Sequence, residues 1–373
     1  MRIYFYAPFK PLGHPNPSGD LITAQGLVAF LRGRGHGVQP ISDLRARWIY
    51  FKPWDWPVLW AAARRIQRQG KQNPPHLWLT YHTYYKAPDL LGPEAAQSLN
   101  IPYVIFQGMY ATKRRRNWRT WPGYKLNRRA LTCAQAIFSN RRMDLNNLAR
   151  LIPCSRLTYV RPGIDVTRFQ HDADARKTLR ARWGVGDRPV ILAAAMFRPD
   201  VKSEGIRWVI ETCRHLRNQR CHFFLVLVGD GQEGQKLRRL ARDRIPGQYR
   251  FVGQVSREEL YRYYSAADLF VFPGIRESLG MVYLEAQACG LPVVAFDNAG
   301  VPEVVQHGKT GLLTPFEDRI TFTRAVARLL QDSFLRRAMG RAAADYVRRH
   351  HDLATNYRVL EGALEEIVAH YRR

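Results

Sequence analysis

The sequence is short of acid. Its 373 residues hold 31 Asp and Glu against 58 Lys and Arg, a formal net charge of +27. It has no apolar run approaching the roughly 20 residues of a membrane-spanning helix, so any membrane contact is expected to be peripheral. The five cysteines (Cys133, Cys154, Cys213, Cys221 and Cys289) are odd in number and lack CxxC spacing, which argues for reduced thiols and against a disulfide framework. No group of Cys, His and carboxylates has metal-ligand spacing, and no repeat or low-complexity tract interrupts the chain. No helix-turn-helix, zinc or RNA-binding signature accompanies the charge, so nucleic acid is not the expected partner. Met1–Phe9 reads as a strand, without the small-residue cleavage site of a signal peptide, and a cytoplasmic chain is expected.

What is present is unevenly distributed. Residues 1–170 hold 26 Lys and Arg against 7 Asp and Glu, a balance of +19 within the total of +27. That half calls for an anionic partner: a phospholipid surface, a phosphorylated lipid carrier, an acidic glycan or a nucleic acid. Two of its segments mix cations with tryptophan. Arg47–Trp60 carries Trp48, Trp54, Trp56 and Trp60, with Arg64, Arg65 and Arg68 just beyond. Lys113–Trp121 carries four consecutive cations, Arg119, Trp118 and Trp121. Such mixtures suit an anionic membrane surface; the alternative is a solvated basic face with its tryptophans in the core.

The length allows two cores. Strands are expected at Ile3–Ala7, Leu77–Tyr81, Tyr103–Phe106 and Ala136–Ser139, and a helix at Leu21–Arg34 ending at Gly35-His36-Gly37. After the breaker-rich Arg161–Asp165, a second series alternates. Strands are expected at Val190–Ala195, His222–Val228, Arg250–Val252, Leu269–Phe272 and Val293–Phe296. Helices are expected at Glu204–Arg217, Gln232–Arg242, Arg257–Ala266, Arg319–Leu330 and Asp332–Arg349. Leu353–Tyr371 is an amphipathic helix with Tyr357, Leu360, Leu364, Val368 and Tyr371 on one side. Two successive parallel α/β units predict ligands at the carboxyl ends of strands, in a cleft between the units.

The most telling segment runs from Asp268 to Cys289. An apolar strand stops at Pro273, Gly274–Gly280 is a loop, and a helix begins at Met281. Ser278 is the candidate cap, and Gly280 lets a ligand approach the free N–H groups of the first turn. That is an anion site, suited to a diphosphate. Glu277 in the loop and Glu285 in the helix, eight positions apart, are placed to accept hydrogen bonds from sugar hydroxyls; the alternative is a surface pair flanking an ordinary core helix.

These residues belong to an ordered set. It runs from Arg161-Pro-Gly-Ile-Asp165 and Leu225-Val-Leu-Val-Gly-Asp-Gly231 through Phe251-Val-Gly-Gln254 and Ser265-Ala-Ala-Asp268. It continues through the Glu277/Glu285 segment to Gly290-Leu-Pro-Val-Val294, Gly300-Val-Pro-Glu303 and His307-Gly-Lys-Thr-Gly311. The set resembles the retaining glycosyltransferases of family 4. The resemblance implies the α/β GT-B fold: Rossmann-like domains at 1–168 and 169–352, with the helix at 353–373 returning to the first. It implies a UDP-sugar or GDP-sugar donor, no metal or other cofactor, and a lipid-linked or cell-surface glycan acceptor.

By the same resemblance Glu285 would bind the ribose hydroxyls and Glu277 a hexose hydroxyl. The N–H groups of Leu279, Gly280, Met281 and Val282 would receive the diphosphate. Arg198 and Lys202 would stabilise the leaving group, although their spacing is shorter than is common in the family. Gly253 would border the base, and Gly19, in Ser18-Gly19-Asp20, would approach the donor phosphates. Gln107 stands where many relatives have His, with His82 and His14 as substitutes. The rival readings are an epimerase or phosphorylase of the same fold, an inactive partner subunit, and a nucleic-acid binder.

Overall fold

The structure, a computed structural model, describes residues 1–15 and 19–371. Ser18 lies outside them. The chain forms two compact units, Met1–Arg161 with Ala354–Arg373, and Pro162–Leu353. The division follows Arg161, upstream of the expected 168, because the breaker-rich segment bonds to the end of the second unit: Ile164 donates to His351 O at 2.9 Å, and Leu353 donates to Ile164 O at 2.9 Å.

The first unit alternates β1 (Arg2–Tyr6), α1 (Gly19–Gly33), β2 (Gly37–Ser42), α2 (Trp56–Gln72), β3 (Leu77–Thr83) and α3 (Gly92–Ser98). It continues with β4 (Tyr103–Gly108), α4 (Trp121–Cys133), β5 (Ala136–Ser139), α5 (Arg142–Leu148) and β6 (Leu157–Tyr159). Its six strands are parallel, in the order β2-β1-β3-β4-β5-β6. β3 and β4 are almost wholly buried, as parallel strands covered on both faces must be.

The second unit comprises α6 (Ala173–Trp183), β7 (Val190–Ala194), α7 (Val201–Asn218), β8 (Phe224–Val228), α8 (Gly234–Arg244) and β9 (Tyr249–Gly253). Then follow α9 (Leu260–Ala266), β10 (Leu269–Val271), α10 (Met281–Ala288), β11 (Val293–Phe296), β12 (Gly311–Thr314), α11 (Arg319–Gln331) and α12 (Ser333–His350). The sheet order is β12-β11-β10-β7-β8-β9, again all parallel. One continuous core joins Leu192, Val226, Phe270 and Val294 of the sheet to Ile210, Leu284, Val326 and Val347 of the helices. At the amino ends of β7 and β10, Asp268 takes Arg176 at 2.7 Å, Arg180 at 2.9 Å and the Val190 N–H at 2.8 Å. That cluster ties α6 to the two central strands.

The last helix, α13 (Leu353–Tyr371), packs within the first unit, as expected. Tyr357, Leu360, Leu364 and Val368 are buried, but Tyr371 is exposed. Glu361 anchors the helix by accepting from Arg34 at 3.1 Å and pairing with His36 at 2.8 Å.

Candidate functional site

The second sheet reverses its strand order between β7 and β10: β8 and β9 follow on one side, β11 and β12 on the other. Carboxyl ends of adjacent strands at such a reversal are where open α/β sheets bind ligands. Three loops emerge at this edge. The loop after β7 is fastened to the one after β8 by Ala195 N to Val228 O (3.1 Å), Phe197 N to Asp230 O (2.9 Å) and Glu233 N to Phe197 O (3.0 Å). The loop after β10 is braced by Gly300, whose N–H donates to Glu277 O at 3.0 Å.

Lys202 and Glu277 meet there. Asp200 caps α7 by accepting from the Lys202 N–H at 2.8 Å, which places Lys202 in the first turn. Its Nζ forms an ion pair with Glu277 Oε2 and lies 5.7 Å from the centre of the Phe272 ring. The pair is partly buried, with 32% of the lysine side chain and 13% of the glutamate accessible. Lys202, rather than Arg198, is thus the cation in contact with the acid. Arg198 is exposed on the loop after β7, with its guanidinium 3.1 Å from Met196 Sδ, and forms no ion pair among the described residues.

Beside this pair α10 begins. The expected cap is not made: Ser278 gives no side-chain bond, and Gly280 occupies the N-cap position in the left-handed region at φ 67°. The reason is steric. A Cβ at Gly280 would lie 2.8 Å from both the Tyr283 ring and Val304, so any other residue strains this turn. The N–H groups of Leu279, Gly280, Met281 and Val282 have no acceptor among the described residues. They leave a patch of positive potential beside Lys202, the physical requirement for an anion.

Glu285 faces elsewhere. It is buried, accepting from Arg257 at 3.1 Å and from the Tyr264 hydroxyl at 3.3 Å. Burial raises its carboxyl above the usual range, against the opposing charge of Arg257 and the two hydrogen bonds. The two acids therefore do not share partners: Glu277 reaches toward α7, and Glu285 toward the segment that follows β9. Gly253, at the end of β9, accepts from the Gly229 N–H at 2.8 Å. Arg257 and Tyr264 escape the sequence reading because neither has a periodic or motif relation to Glu285, from which they lie 28 and 21 residues away.

The first unit offers a different arrangement. Gly19 is the exposed first residue of α1. Next to it, Asp20 Oδ1 pairs with His82 Nδ1 at 3.0 Å at the carboxyl end of β3. Burial pushes the Asp20 carboxyl up, but the charge and hydrogen bond of His82, with Lys10 and Arg141, hold it below the usual carboxylate range. His82 and Gln107, on neighbouring strands, both adopt left-handed backbone, at φ 58° and 71°. Gln107 is buried.

Residues 188–332 match the family model of the glycosyl transferases group 1. A GDP-mannose-dependent alpha-(1-6)-phosphatidylinositol monomannoside mannosyltransferase of Mycolicibacterium smegmatis is 38% identical over 196 residues, 50% of each chain. The match therefore spans about half the length of that relative. A D-inositol 3-phosphate glycosyltransferase of Nocardioides sp. is 27% identical over 366 residues, 88% of this chain and 79% of that one. Anabaena HepE, solved in complex with UDP, shares the fold at TM-score 0.76 and 18% identity, over 98% of this chain and 100% of its own. The two six-stranded parallel sheets are those of the GT-B architecture. β7–β12, Lys202, Glu277 and the start of α10 all lie inside the segment that matches this family model.

Proposed function

We propose that the chain transfers a hexose, with retention of anomeric configuration, from a UDP- or GDP-sugar to a hydroxyl of a lipid-linked or cell-surface glycan acceptor. The observation that carries the reading is the Lys202–Glu277 pair beside the open N–H groups of α10, at the strand reversal. The diphosphate sits on the N–H groups of Leu279, Gly280, Met281 and Val282. Lys202 and Arg198 neutralise the charge that develops as the anomeric C–O bond to the diphosphate breaks. The acceptor oxygen forms the new bond on the same face, and its proton passes to the departing phosphate oxygen. Glu277 holds a hexose hydroxyl and, already paired with a lysine, is not a nucleophile.

Glu285 takes the ribose hydroxyls. To do so the ribose displaces or shares the Arg257 guanidinium that now covers the carboxylate. The donor named for one relative is GDP-mannose, and the ligand of one structural neighbour is UDP, so both nucleotides belong in the test. These fixed cations supply the leaving-group charge, and turnover is expected to persist in EDTA. The purified protein, given a panel of UDP- and GDP-sugars with and without lipid-linked acceptors, should release the nucleotide and yield a product of unchanged anomeric configuration by NMR. An inverted product, or an epimerised sugar formed without acceptor, would contradict the reading.

A further inference from the structure

We propose that the first unit docks on an anionic lipid bilayer by setting the tryptophans of residues 54–60 and 118–121 into the interface. The inference goes beyond the reading above, because it needs neither a donor nor turnover. Trp54 is 69% exposed, Trp60 59% and Trp118 73%. Large aromatic side chains are normally well buried, so this clustered exposure calls for a partner that covers them. The indole N–H groups of these three have no protein acceptor among the described residues, unlike Trp56, which donates to Ile49 O at 3.2 Å.

The two segments form one surface. Tyr50 donates to Tyr85 O at 3.1 Å, the Arg114 guanidinium lies 4.4 Å from the Tyr85 ring centre, and Trp48 packs edge-on to the same ring. Gly123, at the start of α4, presses so closely on Tyr50 and Tyr85 O that a Cβ there would collide with both. On α2, Ala62, Ile66 and Gly70 are buried, while Trp56, Trp60, Arg64 and Arg68 repeat at four-residue spacing on the exposed side. An aromatic end therefore leads into a cationic stripe.

Charge selects the occupant. Residues 45–72 hold seven Lys and Arg against one acid, Asp55, and residues 112–129 hold eight against none. Cations also stack on the indoles, Lys125 on Trp121 at 4.2 Å and Arg119 on Trp118 at 5.2 Å. Amphipathic rings set among cations in large excess over acids match a headgroup layer, which wets the cations and accepts the rings. A protein or nucleic-acid partner that covered so much indole would need an apolar or stacking surface of its own.

The test is flotation of the full chain with vesicles of phosphatidylcholine alone or with about a third phosphatidylglycerol. Binding to the anionic vesicles at low salt, with a blue shift of tryptophan emission, is expected, and little binding to the neutral ones. Each interfacial cation contributes about fivefold to partitioning, so K113S/R114S/R115S/R116S should lose roughly 600-fold. W54S/W60S/W118S should keep a salt-sensitive residue of binding and lose most of the blue shift. Far-UV circular dichroism confirms that both variants are folded, and nucleotide release from a donor sugar in solution should be unchanged in the tryptophan variant. A wild-type chain that stays off anionic vesicles at low salt overturns the proposal. So does binding that ignores the tryptophan substitutions, competition by single-stranded RNA that the tryptophans determine, or a dimer that dissociates on losing them. If nucleotide release is absent but docking persists, the transferase reading fails and this one stands.

Discussion

The carboxyl ends of the two sheets differ in how they hold charge. In the second unit, Lys202 and Glu277 are paired where β7 and β10 part, and the open amino end of α10 adjoins them. In the first unit the corresponding ends carry a His82–Asp20 pair and a buried Gln107, and most of the cations lie instead on exposed helices and turns. The contrast follows from the partners proposed for each. A diphosphate needs a few preorganised donors held still by a core, whereas a headgroup layer needs many mobile cations and protruding rings. One region stores its function in geometry, the other in composition.

The sharpest way to break this comparison is at Lys202. If fixed charge at the strand reversal drives the chemistry, Lys202→Ala lowers kcat by roughly 10²–10³-fold, and Lys202→Arg recovers part of it. Arg198→Ala lowers turnover by a smaller factor, with little change in KM, because its side chain is exposed and unpaired. Steady-state kinetics on the best donor checks both. Equal turnover in all three variants would remove the distinction between the units.

The opposite end of the same sheet should answer in stability rather than rate. Asp268→Asn removes the charge and leaves a single acceptor oxygen for Arg176, Arg180 and the Val190 N–H, at a cost of about 2–3 kcal/mol. Burial alone would push the Asp268 carboxyl up, but those partners bring it below its ordinary value. Its stabilisation is therefore complete above the usual aspartate range and disappears as pH falls through the lowered value. Urea melts of the parent and D268N should differ most near neutral pH and converge under acid. A constant difference across pH would contradict the assignment.

The smallest expected effect is at Gly280. Gly280→Ala forces a left-handed alanine against Tyr283 and Val304 and should cost about 1–2 kcal/mol. Donor affinity should fall with it, since the same turn frees the N–H groups of α10.

How much of this the sequence discloses depends on locality. The run from Asp268 to Glu285 holds strand, loop and helix start in eighteen successive residues, so its chemistry is legible directly. The near-continuous apolar runs within β3, β4, β7 and β8 are legible for the same reason. Three strands are not: β2, β6 and β12 all lie at sheet edges. There one side of the ladder is unpaired, and Pro40 is tolerated within β2. The Glu285 partners and the joining of Trp48, Arg114 and Gly123 around Tyr85 depend on distant segments converging. No local pattern encodes that.

The account rests on the second unit holding a nucleotide diphosphate at its strand reversal. Calorimetric titration of GDP and UDP into the parent chain and into Glu285→Gln tests this most directly. One nucleotide should bind the parent, and the variant, folded by circular dichroism, should bind it at least about tenfold more weakly as a charged acceptor of the ribose hydroxyls is lost. Failure of the folded parent to bind either nucleotide, or equal affinity in parent and variant, would contradict it.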